Sequence, residues 1–306
     1  MSLASKISGI KFIGLLTTIL FISTSGCSSN SDADNSNASE NSQLVVFANN
    51  ATTKSNVTDP NNNIIAAKIE NDDPMSNSAK VIYLHHSTGG VIWDGGVDTK
   101  IANYNTNHGK NYSITQMEFP KSRPYGWNNY PYDYWNIWIN HASASAYKKE
   151  PTLEMLTQTY DVIVWKHCFP VSSVVGDTGS PDITSSVKSE ENYKLQYNAL
   201  KAKMHEFPNN RFIVWTSPAL VESATNFEEA KRARDFANWV KTTWDEPGDN
   251  IYIWDFRELE TGGGLYLLPE NAVSTSNSHP NPTFAATAAP LIGQRIIDVI
   301  EGRGDD

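Results

Sequence analysis

The chain has 306 residues, a formal net charge of −10 from 24 Lys and Arg against 34 Asp and Glu, and 39% apolar residues. An acidic chain with no stretch of Lys or Arg interleaved with aromatic rings is not built to hold nucleic acid through its phosphates. Two cysteines, Cys27 and Cys168, cannot supply a disulfide framework, so the fold must stand on its apolar core.

At the N-terminus Lys6 and Lys11 precede an apolar run, 12–22, that ends in Ser23-Thr24-Ser25-Gly26-Cys27. That is the architecture of a signal peptide, and the run is short of the ~20 apolar residues that cross a bilayer. The small residues before Cys27 resemble a lipobox, the site where bacterial lipoproteins are acylated on cysteine and cut before it. The resemblance implies that residues 1–26 are removed and that Cys27 carries lipid. The mature chain would then sit in the cell envelope, at the outer membrane or the cell surface, touching membrane through its anchor only. Residues 27–78, rich in Asn, Ser, Asp and Thr and without a sustained apolar period, read as a disordered tether.

From Ala79 onward, short β-rich runs alternate with longer helical patterns, which predicts a parallel sheet covered on both faces. The expected strands are 80–86, 112–119, 161–166, 211–216 and 250–255. Several, such as Val162-Ile163-Val164-Trp165, are apolar without alternation, as strands buried on both faces should be. Tyr193, Tyr197, Leu200 and Met204 share one helical face, as do Ala230, Ala233, Ala237, Val240 and Trp244. A final helix should start with Asn281 as N-cap and Pro282 at its first position, with Phe284, Ala288, Leu291, Ile292, Ile296 and Val299 inward. The fold class expected is α/β, a flavodoxin-like three-layer sandwich with a five-stranded parallel sheet, in one domain over 79–306. About 225 residues can bury a full core as one unit.

In an open parallel sheet the ligand site lies beyond the carboxyl ends of the strands. The first strand ends in His85-His86-Ser87-Thr88-Gly89-Gly90, which places a serine at a turn into a helix. The third ends in Lys166-His167-Cys168, whose thiol after so apolar a strand reads as a small buried hydrophobe. Downstream, Ser276-Asn277-Ser278-His279-Pro280 places a histidine just before the last helix. His85 and His86 should point to opposite faces of their strand, so at most one can line the site. No His-x-His or His-Glu-x-x-His spacing suggests a metal.

A serine after strand one and a histidine before the last helix resemble the SGNH (GDSL-type) hydrolase family, in order and spacing, across roughly residues 79–302. The resemblance implies an esterase that needs no cofactor, with Ser87 as nucleophile and His279 as the general base that an unactivated hydroxyl requires. The family's Gly-Asp-Ser reads His85-His86-Ser87 here, and its acidic partner three residues before the histidine is Ser276. Either the pair works as a dyad, or Asp255, Glu258 or Glu270 orients the imidazole. The family's oxyanion donors, a Gly after strand two and an Asn after strand three, point to Gly126 and to His167.

The segment 123–138 follows strand two and alternates Tyr and Trp with Asn, Asp and Pro. Tyr125, Trp127, Tyr130 and Tyr132 are candidates for a wall that stacks on sugar rings, whereas Trp135, Ile137 and Trp138 should pack the segment onto the domain. The reading that follows is a lipid-anchored hydrolase removing small acyl groups, such as acetyl, from carbohydrate. Its partners would be a small-molecule or glycan ester. The competing reading is a non-catalytic, glycan-binding surface lipoprotein that keeps the fold.

Overall fold

The computed structural model describes residues 73–305, so the segment expected to be signal peptide and most of the expected tether, with Cys27, lie outside the described residues. The described chain already engages the domain before Ala79. The Asp73 carbonyl accepts the Arg211 guanidinium, and the Met75 N–H donates to the Ile300 carbonyl at 2.7 Å.

Five strands form one sheet: β1 (Lys80–His85), β2 (Ser113–Glu118), β3 (Val162–Trp165), β4 (Arg211–Trp215) and β5 (Ile251–Trp254). Each lies within one residue of its expected bounds at both ends. All four pairings are parallel, in the order β2-β1-β3-β4-β5. This is the flavodoxin-like arrangement, whose direction of winding reverses between β1 and β3. The central β3 and β4 are buried along their whole length, whereas the edge strand β2 carries polar, partly exposed side chains. An edge strand of that kind resists pairing with another chain.

Helices cover both faces. Over one face lie α1 (Thr88–Asp94), α2 (Val97–His108) and α8 (Pro282–Ile300), which bring Ile92, Val97, Ile101, Ile292 and Ile296 against Val81, Tyr83 and Val164. Over the other lie α3 (Pro131–Trp135), α4 (Leu153–Thr157), α5 (Glu190–His205) and α6 (Phe227–Trp239). They enclose an aromatic core that includes Trp138, Trp165, Tyr197 and Phe236. The α7 helix (Phe256–Thr261) and a hairpin of β6 (Ala272–Ser274) and β7 (Asn277–Pro280) lie between β5 and α8.

The expected face of α6 continues inward to Val240 and Trp244 because the helix ends in a π-helical turn, Val240–Trp244. There the Trp244 indole N–H reaches the Tyr197 carbonyl at 2.9 Å. The start of α8 follows its sequence signature: the Asn281 side chain accepts the Phe284 N–H at 2.9 Å, with Pro282 first in the helix. One residue of its expected inner stripe is corrected. Leu291 is 45% exposed, because at 100° per residue the neighbouring Ile292 takes the position facing the sheet. Among the described residues no helix is long and apolar enough to cross a membrane.

Candidate active site

At the end of β1 the backbone turns sharply into α1, and Ser87 sits at the apex with φ 45° and ψ −101°. A positive φ is costly for a residue with a Cβ and persists only where the surroundings enforce it. Here the N–H groups of Gly89, Gly90 and Val91 close back on the His86 and Ser87 carbonyls at 2.9–3.2 Å, and the Ser87 N–H is not among them. A Cβ on Gly89 would lie 2.7 Å from His85 Cβ and 2.9 Å from Lys166 Cδ, so only glycine lets the first turn of α1 settle onto the strand ends. His85 packs beneath that turn against Tyr83, with ring centres 5.6 Å apart.

The hairpin delivers the partner. His279, on β7, hydrogen-bonds Ser87 Oγ through Nε2, and the Phe169 ring meets the imidazole edge-on at 5.1 Å. Behind the imidazole stands Asn277, whose Oδ1 lies 2.7 Å from His279 Nδ1 and 3.1 Å from the His279 backbone N–H. A backbone N–H can only donate, so the Asn277 atom it faces is the amide oxygen. That oxygen cannot donate to Nδ1. Nδ1 therefore carries the proton, and the lone pair of Nε2 faces the serine. Burial, and then the Lys166 ammonium, lower the His279 pKa below the ordinary histidine value and keep the ring neutral.

Asn277 is the member of the constellation that sequence reading missed. Residues two apart on a strand share a face, so an Asn-x-His pair would have pointed to it had residues 277–280 been read as a strand. Asp255 and Ser276 are engaged elsewhere. Asp255 caps α7 and binds Thr216 Oγ1 at 2.9 Å and Lys241 Nζ at 2.6 Å. Ser276 Oγ turns toward Ser274 Oγ at 3.4 Å, and it is Asn277, not Glu258 or Glu270, that holds His279 Nδ1.

Neither expected oxyanion donor holds that place. The Gly126 N–H is taken by the Ser122 carbonyl at 2.9 Å. His167 continues the alternation of β3 onto the aromatic face, buried edge-to-face against Tyr134 with centroids at 4.5 Å. The aromatic wall is also corrected. Trp127 and Tyr130 are 7% and 4% exposed, and the Tyr130 hydroxyl donates to the Ser186 carbonyl at 3.1 Å, so these rings fasten the segment. Tyr132 is partly buried and tilts against Trp135, itself buried as expected along with Ile137 and Trp138. Tyr125 alone of the four stays open, at 42% exposure, with the Lys148 ammonium 5.9 Å from its ring centre.

A cavity of about 510 Å³ lies beside the hairpin, lined by Val221, Leu265, Leu267 and Thr275 among others, but by neither Ser87 nor His279. Among the described residues no three His, Cys, Asp or Glu side chains converge as a metal site would require.

No family model matches the chain, and no curated protein matches it. Among solved structures it is similar to an acetyl xylan esterase, at 13% identity and a TM-score of 0.44, over 71% of this chain and 98% of that one. It is also similar to a gut microbial diltiazem-metabolizing enzyme, at 9% identity and a TM-score of 0.44, over 75% of this chain and 48% of that one. A third, from Bacteroides fragilis NCTC 9343 and provisionally described as an acylhydrolase, has 10% identity and a TM-score of 0.40, over 76% and 96% of the respective chains. At these identities and overlaps, neither reaction nor substrate transfers from them to this chain.

Proposed function

We propose that the chain is a serine ester hydrolase of SGNH type, with Ser87 as nucleophile and His279 as general base. The observation that carries this is the Ser87–His279 hydrogen bond together with the Asn277 oxygen that fixes the imidazole tautomer. Ser87 Oγ attacks the ester carbonyl while its proton passes to Nε2, and the same proton then goes to the departing alcohol. Water, deprotonated by the same imidazole, releases the acyl group from Ser87. The Ser87 N–H, which the turn leaves over, is the backbone donor assigned to the carbonyl oxygen as it gains charge. No step needs a cofactor.

The acyl group proposed is small, acetyl above all, and its carrier a carbohydrate. Support comes from the open Tyr125 ring, from exposed polar residues such as Ser122 and Asn128, and from the position of the apolar cavity away from Ser87. A long acyl chain needs an apolar slot beside the nucleophile. Lipidation of Cys27 and anchoring in the envelope complete the reading.

Two variants test the nucleophile. Replacing Ser87 by Ala or Gly should remove turnover of a short acyl ester by about 10⁴–10⁶-fold and abolish labelling by a fluorophosphonate. Ser87→Gly should also raise the unfolding free energy by about 1 kcal/mol, because glycine adopts this φ without strain. A variant that folds and keeps more than about a tenth of the activity would remove Ser87 from the mechanism. On the unmodified enzyme, acetylated oligosaccharides should be turned over faster than long-chain acyl esters. The reverse order would overturn the substrate while leaving the serine chemistry standing.

A further inference from the structure

Beneath the Ser87 turn lies a buried cation to which the proposed hydrolysis gives no task. Lys166 follows β3 and continues its alternation: Val162 and Val164 face α1, α2 and α8, and Lys166 falls on the same side. The residue is 1% exposed. Its Nζ lies 3.3 Å from the His86 carbonyl oxygen and 5.8 Å from the centre of the Trp215 ring. The stem runs directly under the first turn of α1, where a Cβ on Gly89 would stand 2.9 Å from Lys166 Cδ. Among the described residues no carboxylate oxygen comes within 4.0 Å of the ammonium. A buried charge without an ionic partner costs stability, so packing alone does not account for a lysine here.

The carbonyl that Lys166 holds belongs to the peptide joining His86 to Ser87. That peptide is trans, and in a planar trans peptide the C=O and the N–H point in opposite directions. A cation that holds the His86 oxygen from beneath therefore aims the Ser87 N–H outward, and this is the N–H that the turn leaves over. The same oxygen also accepts the Gly89 N–H at 3.1 Å, which its second lone pair allows. On the other side of Ser87 the buried Tyr83 hydroxyl donates to the Gly89 carbonyl at 3.1 Å. Two buried side chains thus hold the carbonyls that flank the strained residue, one neutral and one charged. The charge matters, because a carbonyl bonded by an ammonium makes the N–H of its own peptide a stronger donor, and more so away from water. With Gly126 and His167 turned elsewhere, the developing oxyanion draws on this donor.

We propose that Lys166 is a positioning residue for the hydrolysis described above, on which this inference rests: its ammonium, bonded to the His86 carbonyl, aims the Ser87 N–H at the ester carbonyl oxygen and strengthens it as a donor. Lys166 does not touch substrate. It acts through one peptide unit, and the stabilisation grows as the ester oxygen gains charge, which favours the transition state over the bound ester. The same cation also helps to keep His279 neutral, second to burial of the ring.

The test uses the full chain. Lys166→Met keeps the length of the stem and removes the charge, so the variant should fold, as urea unfolding will show. For a short acyl ester it should lower kcat about 10–10²-fold with KM unchanged, less than the 10²–10³-fold that follows loss of an oxyanion donor itself. The rising limb of its kcat/KM profile should move up toward the ordinary histidine value and stop short of it, because burial of His279 remains. The ammonium also acts on His85, His86, His167, Cys168 and Glu260, but His279 is the group bonded to Ser87 Oγ, so its protonation sets the limb. Tyr83→Phe removes the neutral anchor, and should lower kcat about threefold and leave the limb in place. Lys166→Gln, a neutral donor, takes the place of Lys166→Met if that variant does not fold, with the same limb shift expected. A signal independent of turnover is the Ser87 amide proton, identified by NMR of serine-labelled protein through its absence from Ser87→Ala. It should move upfield when Lys166 loses its charge and stay in place in Tyr83→Phe. A folded Lys166 variant with parental kcat, limb and amide signal would overturn the proposal. So would a loss of kcat no greater than in Tyr83→Phe with limb and amide signal unmoved, since Lys166 would then only support the turn. If Ser87→Ala keeps its activity the hydrolase reading falls, and the amide signal alone decides whether Lys166 polarises the peptide.

Discussion

Asn277 does for His279 the orienting part of what a carboxylate would do and leaves out the charge. Its oxygen holds Nδ1–H and therefore the tautomer, but a neutral amide does not stabilise the imidazolium that the proposed hydrolysis forms as Ser87 gives up its proton. The base is consequently weaker and remains unprotonated to lower pH, in line with its pKa below the ordinary histidine value. The rising limb of kcat/KM against pH should accordingly have its midpoint below about 6.5. Asn277→Asp places a negative charge beside the ring, favours the imidazolium, and should move that limb up by about one unit or more. Asn277→Ala frees the tautomer and ring orientation and should lower kcat/KM about 10²-fold. A profile that is the same in all three enzymes would remove Asn277 from the mechanism. Chain order alone made Ser87 and His279 legible as a pair. The residue behind them was not, because it depends on a three-dimensional fact, the extended backbone of 277–280, that four residues containing Ser and Pro do not announce.

The two partners hang on two helices that touch. Ser87 immediately precedes α1 and His279 shortly precedes α8, and Gly95, at the C-terminal end of α1, lies directly on α8. A Cβ there would stand 2.3 Å from the Ala285 carbonyl oxygen and 3.0 Å from Ala289 Cβ, backbone and a short side chain that cannot swing aside. Gly95→Ala should thus push the helices apart, lowering stability by about 1–3 kcal/mol and kcat by more than the stability loss explains, with both reacting side chains intact. Gly109→Ala is the control: its φ of +64° imposes strain, but nothing lies within 4 Å. It should cost about 1 kcal/mol and leave kcat unchanged. Equal effects on kcat would mean that the helix contact does not set the site geometry. The strands and longer helices were readable because runs such as 162–165 are apolar throughout and the α5 face repeats at helical spacing. The hairpin was not, since a three-residue β6 is too short to show a period.

Across the whole molecule, layered order follows from hydrophobic pattern, while the buried charges do not. Lys166, Arg257 and Glu260 are all buried, although each stands in a polar stretch that reads as a strand end or surface helix. Glu260, on α7, accepts the Ala219 N–H, while Arg257 spends its donors on the Ser217, Pro218 and Leu265 carbonyls at 3.0–3.5 Å. Burial pushes the Glu260 carboxyl up to about 8, against the opposing pull of the Ala219 N–H and of the Arg257 and Lys166 charges. A folded-state pKa above the unfolded value means that the folded chain binds this proton more tightly. Its contribution to stability is therefore complete below the unfolded value of about 4.3 and is lost as pH rises from there toward 8. Glu260→Gln keeps an oxygen for Ala219 and has no proton to lose, so it removes that slope. Urea unfolding should find the variant no more stable than the parent at pH 4.5 and increasingly the more stable of the two up to pH 8. If the difference between them stays constant with pH, or runs the other way, Glu260 is ionised in the folded protein and its pairing with Arg257 and Lys166 outweighs its burial.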